Sequence, residues 1–222
     1  MKIFFDFEFT GLRQDTTPVS MAMISEYGPK FYAEFTDFDI SQFESDDWVA
    51  RNIGRNLLFK NEAISSYQSI DVIDKGYENC GTQYTGLPDE ITTAFGPLEF
   101  VREKANEFLQ RMDDSKYESK RGIDDRIKMW GDCLAYDWIL FVQVITGTTA
   151  IDLPMEIDYI PMDLATLLWV KGFDPDVSRE DFVFEHYPEM MTELPLGIVG
   201  NKHNALSDAY MMKCMEEILS TM

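Results

Sequence analysis

A single α/β domain is the expected architecture of this chain, and three observations predict it. Three short runs with strand-like alternation open the sequence, and helical patterns alternate with at least one further strand after them. Nothing in the 222 residues reads as a linker, an internal repeat or a low-complexity segment. With 45% hydrophobic and 14% aromatic residues, the chain has material for one sizeable core.

Residues 2 to 9 (KIFFDFEF) alternate with the period of a strand, as do 18 to 26 (PVSMAMISE) and 30 to 36 (KFYAEFT). Tyr27-Gly28-Pro29 is a turn signal, so the second and third strands should form an antiparallel hairpin. From about 40 to 96 the character changes, and this region reads as an insertion or extended loop. Within it, DWVARNIGRNLLF (47 to 59) has helical spacing, whereas ENCGTQYTGLPDEITTAFGP (78 to 97) reads as loop throughout. PLEFVREKANEFLQRM (97 to 112) is an amphipathic helix with Pro97 at its start and apolar positions at 98, 101, 105, 108 and 109. A charged loop, DDSKYESKRGIDD, leads into a short strand, RIKMWGD. Helices are then expected over 133 to 145 (CLAYDWILFVQVI), 163 to 172 (DLATLLWVKG) and 204 to 219 (NALSDAYMMKCMEEIL).

Composition excludes some roles. Against 40 acidic residues stand 19 basic ones, a formal net charge of -21, so duplex DNA and anionic membranes should repel the surface. An enzyme that holds a nucleic-acid strand through divalent ions remains compatible, because such ions are the largest local charges in a site. Cys80, Cys133 and Cys214 are odd in number, widely spaced and without Cys-x-x-Cys spacing, which points to reduced thiols rather than a disulfide framework or a zinc site. The short, charged amino terminus is no signal peptide, and no segment approaches the roughly 20 apolar residues of a membrane span. The expectation is a soluble, cytoplasmic protein.

Four carboxylates and one histidine then stand out. On a strand, Asp6 and Glu8 share one face while Phe5, Phe7 and Phe9 share the other. Two adjacent anions on a half-buried surface repel each other and lose hydration unless a cation joins them. Asp137 interrupts an otherwise apolar segment, and Asp208 lies in the first turns of the closing helix, where the helix dipole favours an anion. His203 precedes Asp208 by five positions, at the loop-to-helix junction. Taken singly, each has an ordinary alternative: a solvated edge for Asp6 and Glu8, a capping role for either Asp. Asp132 and Asp163 compete with Asp137 for the third position; Asp137 is preferred because it follows AY in an apolar helix, whereas Asp132 follows Gly131 at a strand end. Taken together, four carboxylates form an all-oxygen set suited to Mg²⁺ or Mn²⁺ and poorly suited to zinc.

The pattern resembles the DEDDh group of 3′-to-5′ exonucleases, a family with a ribonuclease-H-like fold that includes polymerase proofreading subunits and oligoribonucleases. The motifs that match are DFEFTGL, the Asp of CLAYDW, and the H-x-x-x-x-D of HNALSD. More narrowly, FYAEFTDFD, DWVARNI, the Trp130 to Asp137 segment and HNALSDA look similar to bacterial RNase AS exoribonucleases. The loop around 70 to 95 and the stretch 172 to 200 fall outside that similarity, and FTGL is closer to the proofreading type, which keeps DNA open as substrate.

The resemblance implies a mixed central sheet flanked by helices, and hydrolysis at RNA 3′ ends with two Mg²⁺ or Mn²⁺ ions about 3.5 to 4 Å apart. It further implies Asp6, Glu8, Asp137 and Asp208 as metal ligands and His203 as general base. Phe7, Phe9 and Thr10 would contact the terminal nucleotide, with Leu12 as a wedge against its base, and the enzyme would be a homodimer. The partner it implies is a single-stranded 3′ end, RNA before DNA. A DNA 3′-to-5′ exonuclease with the same site, and a non-catalytic nucleic-acid-binding regulator on the same fold, are the alternatives.

Overall fold

A computed structural model describes residues 1–68, 91–114, 126–189 and 202–222. Its centre is a six-stranded mixed sheet in the order β4-β3-β2-β1-β5-β6. The strands are β1 (Lys2–Phe9), β2 (Pro18–Ser25), β3 (Lys30–Phe35), β4 (Ile91–Gly96), β5 (Lys128–Gly131) and β6 (Met162–Asp163). The β1/β2 and β2/β3 pairs are antiparallel and the rest parallel, so β2 alone runs against the other strands.

Alternation along β1 sorts its side chains between two cores. Ile3, Phe5 and Phe7 join Met21, Met23 and Phe31 beneath α3 (Leu98–Asp114) and α4 (Asp137–Thr146). Phe4 joins Ala22, Ile24 and Tyr32 on the opposite face, under α5 (Leu164–Val170), α6 (Arg179–His186) and α7 (Ala205–Thr221). Helices therefore flank the sheet on both sides, as the α/β reading expects. A smaller cluster, including Val19, Phe43, Val49 and Ile53, seats α1 (Ile40–Ser45) and α2 (Asp47–Asn52) at one end of β2. No helix of the described residues is long and apolar enough to cross a membrane.

Several elements differ from their sequence-based expectation. The tract read as loop to residue 97 contains β4, whose ITTAF segment pairs in parallel with β3 and is almost wholly buried. Its β-branched and aromatic residues form the outer strand, and Gly and Pro punctuation upstream masks that signal. Residues 78–90 of the same tract lie outside the described residues. The helix expected over 47 to 59 ends at Asn52 and passes through a 3₁₀ turn at Gly54–Asn56. There a β-carbon on Gly54 would lie 2.9 Å from Tyr67 Cβ. α1, capped by the Asp39 side chain, and α6, capped by Ser178, carry too few apolar residues to announce themselves. The helix expected from 133 begins only at Asp137.

Candidate metal centre

β1 outlasts its neighbour. Pairing with β5 ends at Phe4–Trp130, and the chain leaves β5 at Gly131, turning through Cys133 in a left-handed conformation (φ 50°) before α4 starts. The turn is tight: a β-carbon at Gly131 would stand 2.5 Å from Leu134 Cδ2 and 3.2 Å from the Phe5 ring, so any larger residue forces both side chains to shift. Its outcome is to deliver Asp137 to the open flank of β1, where Asp137 Oδ1 accepts the Phe7 N–H at 2.9 Å. The carboxylate thus takes the place of a missing sheet partner.

At the other end of the site, Asn204 caps α7 by accepting from the Leu206 and Ser207 amides. His203, before the cap, adopts φ 65°, and its N–H donates to Asp208 Oδ2 at 3.0 Å. The five-residue spacing therefore closes a backbone-to-carboxylate loop. His203 itself lies outside the helix, which starts at Ala205. Trp48, half exposed on α2, meets the His203 ring nearly at right angles, centroids 4.7 Å apart.

A cleft of about 590 Å³ is lined by Asp6, Glu8, Asp137, Asp208 and His203, together with Phe7, Phe9 and Leu12. The carboxylates raise one another. Asp6 is held well above the ordinary range by enclosure and then by Asp137, Asp208 and Glu8. Burial pushes Glu8 up likewise, with the charges of Asp208 and then Asp137 adding to it. Burial pushes Asp208 up to about 7, Glu180 adding to it and the His203 amide opposing it. Asp137 also rises to about 7 through burial, against the Phe7 hydrogen bond. Partial burial, then Lys202, lowers His203. Such a cluster is short of positive charge, and hard divalent cations on oxygen ligands supply it.

The two rival acids have other partners. Asp132 forms a two-pronged pair with Arg179 (Oδ2 to Nε 2.7 Å, Oδ1 to Nη2 2.9 Å), and Asp163 caps α5 by accepting the Thr166 N–H at 2.9 Å. The first motif divides unevenly. Leu12 projects into solvent at the cleft, 81% exposed, and Phe9 stacks on Tyr136 with centroids 5.3 Å apart. Phe7 keeps its ring in the core and presents its backbone. Thr10 is buried: its hydroxyl donates to Gln42 Oε1 at 2.7 Å and accepts the Thr17 N–H at 3.0 Å, tying the turn after β1 to α1.

Sequence reading missed Trp48, Arg179, Glu180 and Lys202, which also line the cleft. Arg179 is committed to Asp132, and Lys202 pairs with Glu180 at 3.2 Å. Their one sequence signal is weak: basic residues are scarce, so each is worth tracing to a partner. No protein-family model matches the chain, and no curated protein matches it.

Proposed function

We propose that this protein is a divalent-metal-dependent 3′-to-5′ exoribonuclease of DEDDh type, releasing nucleoside 5′-monophosphates from single-stranded RNA. The observation that carries the reading is the convergence of Asp6, Glu8, Asp137, Asp208 and His203 on one cleft from β1, α4 and the start of α7. A mixed sheet in which β2 alone is reversed is compatible with the ribonuclease-H-like fold that the motifs suggest. RNA rather than DNA, the homodimer and a cytoplasmic setting follow from the resemblance to RNase AS and from the reduced cysteines.

The donor set fits Mg²⁺ or Mn²⁺. All four carboxylates are oxygen donors whose pKa values burial and mutual repulsion raise, and the neighbouring cations Arg179 and Lys202 are engaged with Asp132 and Glu180. Asp6, Glu8 and Asp208 would hold one ion, and Asp6, with Asp137 completing the cluster, a second. Bound ions at such a site acidify water and neutralise charge on the phosphate. The chain's own residues do the rest. Partial burial lowers the His203 pKa and so favours the neutral ring, one nitrogen of which would take the proton of the attacking water. Asp208 fixes the backbone of that histidine, and Trp48 limits its ring. Leu12 offers an apolar edge to the terminal base, an interaction that tolerates any sequence.

Incubation with Mn²⁺ and matched RNA and DNA oligonucleotides, free or blocked at the 3′ end, tests the proposal. Mononucleotide release from free-ended RNA, lost in His203→Ala, is expected. Equal release by His203→Ala, or none with either ion, overturns it.

A further inference from the structure

Folding changes the donor chemistry of the cluster. As a sequence, the site is a set of carboxylates with the histidine set apart as a base. In the structure an imidazole nitrogen of His203 and one oxygen each from Glu8 and Asp208 lie within 4.8 Å of one another. Two carboxylate oxygens and one imidazole nitrogen, with room for water, is a donor set that zinc uses in open sites, whereas Mg²⁺ favours oxygen alone. Bonds of about 2.1 Å place tetrahedral ligand atoms about 3.4 Å apart, a closure within reach of side-chain rotation.

A second feature points to a ligand. Glu8 is only 7% exposed, and the ligand atoms within 4.8 Å of its carboxylate belong to Asp208, another carboxylate, and to His203. A buried acceptor this close to a half-buried one favours a cation between them. Asp208 is itself anchored through Oδ2 by the His203 N–H, and Trp48 stands against the imidazole, so the three donors are held together by backbone and ring contacts.

We propose that Glu8, His203 and Asp208 form a binding site for a borderline-soft divalent ion of the zinc class, which takes the His203 ring nitrogen as a ligand. The same cluster then distinguishes ions by their donors. A hard ion held by the carboxylates leaves the imidazole free; a zinc-class ion occupies the nitrogen that would accept the proton. Zinc is therefore an inhibitor of the site. The inhibition rests on the nuclease reading, but the binding does not.

The test uses the full chain and the metal alone. Zn²⁺ affinity is measured by competition with a chromophoric chelator, and Co²⁺ serves as an optical probe of ligand type. One Zn²⁺ per chain should bind about 100-fold or more tighter than Mg²⁺. Affinity should fall about tenfold or more in His203→Ala and in Glu8→Gln. It should be unchanged in His186→Ala, because His186 is the only other histidine and is occupied elsewhere, its Nδ1 2.8 Å from Phe182 O. Unchanged affinity in His203→Ala, or a sulfur-to-Co²⁺ charge-transfer band in place of nitrogen and oxygen ligation, overturns the site. Zn²⁺ should also suppress Mn²⁺-supported nucleotide release by the wild type; undiminished release with the site saturated refutes the inhibition. Zinc bound through His203 without nucleotide release under any ion would refute the nuclease reading and leave the zinc site standing.

Discussion

Glu34, on β3 and outside the cleft, offers a quantitative test of how this fold tolerates buried charge. It is 1% exposed, accepts the Tyr32 hydroxyl at 2.7 Å, and receives the Leu58 and Phe59 amides. Despite those bonds, burial raises its pKa from an ordinary 4.5 to about 7. The folded protein therefore binds this proton more tightly than the unfolded chain. Stability from this group is fully present below pH 4.5, falls as pH rises from 4.5 to about 7, and stays low above that. At about 1.36 kcal/mol per pH unit, the loss amounts to roughly 3 kcal/mol. Glu34→Gln keeps an acceptor oxygen for the amides and has no proton to lose. Relative to wild type it should be roughly neutral at pH 4.5 and more stable by roughly 3 kcal/mol at pH 8. For a chain of this size that is on the order of 10 °C in Tm. Urea unfolding of both proteins at several pH values across the window measures the difference directly, other titrating groups cancelling in the comparison. A difference independent of pH, or a variant less stable at pH 8, would refute the reasoning.

Other consequences follow from the site. Asp137→Asn retains an oxygen for the Phe7 N–H but removes a charge from the cluster, so metal-dependent nucleotide release should disappear while circular dichroism stays native; full activity would return the third position to Asp132. Gly131→Ala drives a methyl group into Leu134 and the Phe5 ring, and should cost about 1–3 kcal/mol in urea unfolding and reduce activity by displacing Asp137. Oligonucleotide affinity should depend on Mg²⁺ or Mn²⁺ and fall only shallowly with added NaCl. Arg179 and Lys202 are engaged with acids, so few phosphates are neutralised by the protein itself.

What was legible in the sequence is what local pattern encodes. The alternation in KIFFDFEF established β1 and its two faces, and the Pro97 start and apolar spacing of 98 to 109 established α3. Asp6, Glu8 and Asp137 were findable because each places charge among apolar neighbours, and His203 and Asp208 because one of only two histidines precedes an acid at a helix start by five positions; the cleft gathers all five. Thr10 shows the limit. A threonine beside a site motif suggests substrate contact, yet the bond to Gln42, more than thirty residues away, turns its hydroxyl into the protein. β4 was hidden because its partner is β3, in parallel, across a long connection whose composition reads as loop. Arg179 and Trp48 acquire meaning only through Asp132 and His203, contacts that no spacing rule anticipates.

The acidity of the surface and the acidity of the cleft pose one physical question. A chain with a net charge of -21 that also gathers four carboxylates in a cleft works against itself electrostatically, unless the gathered charge is useful. The local pairings sharpen the point: where the fold could have placed Arg179 among the four, it spends that cation on Asp132, and it spends Lys202 on Glu180. The repulsion is thus left for something outside the chain to relieve. A resident lysine or arginine would stabilise the empty protein but occupy the positions that ions and a phosphate need. On the proposed reading, withholding it makes capture of a polyanion conditional on divalent cations, and His203 stands with Glu8 and Asp208 where the identity of that cation would decide what the imidazole is free to do.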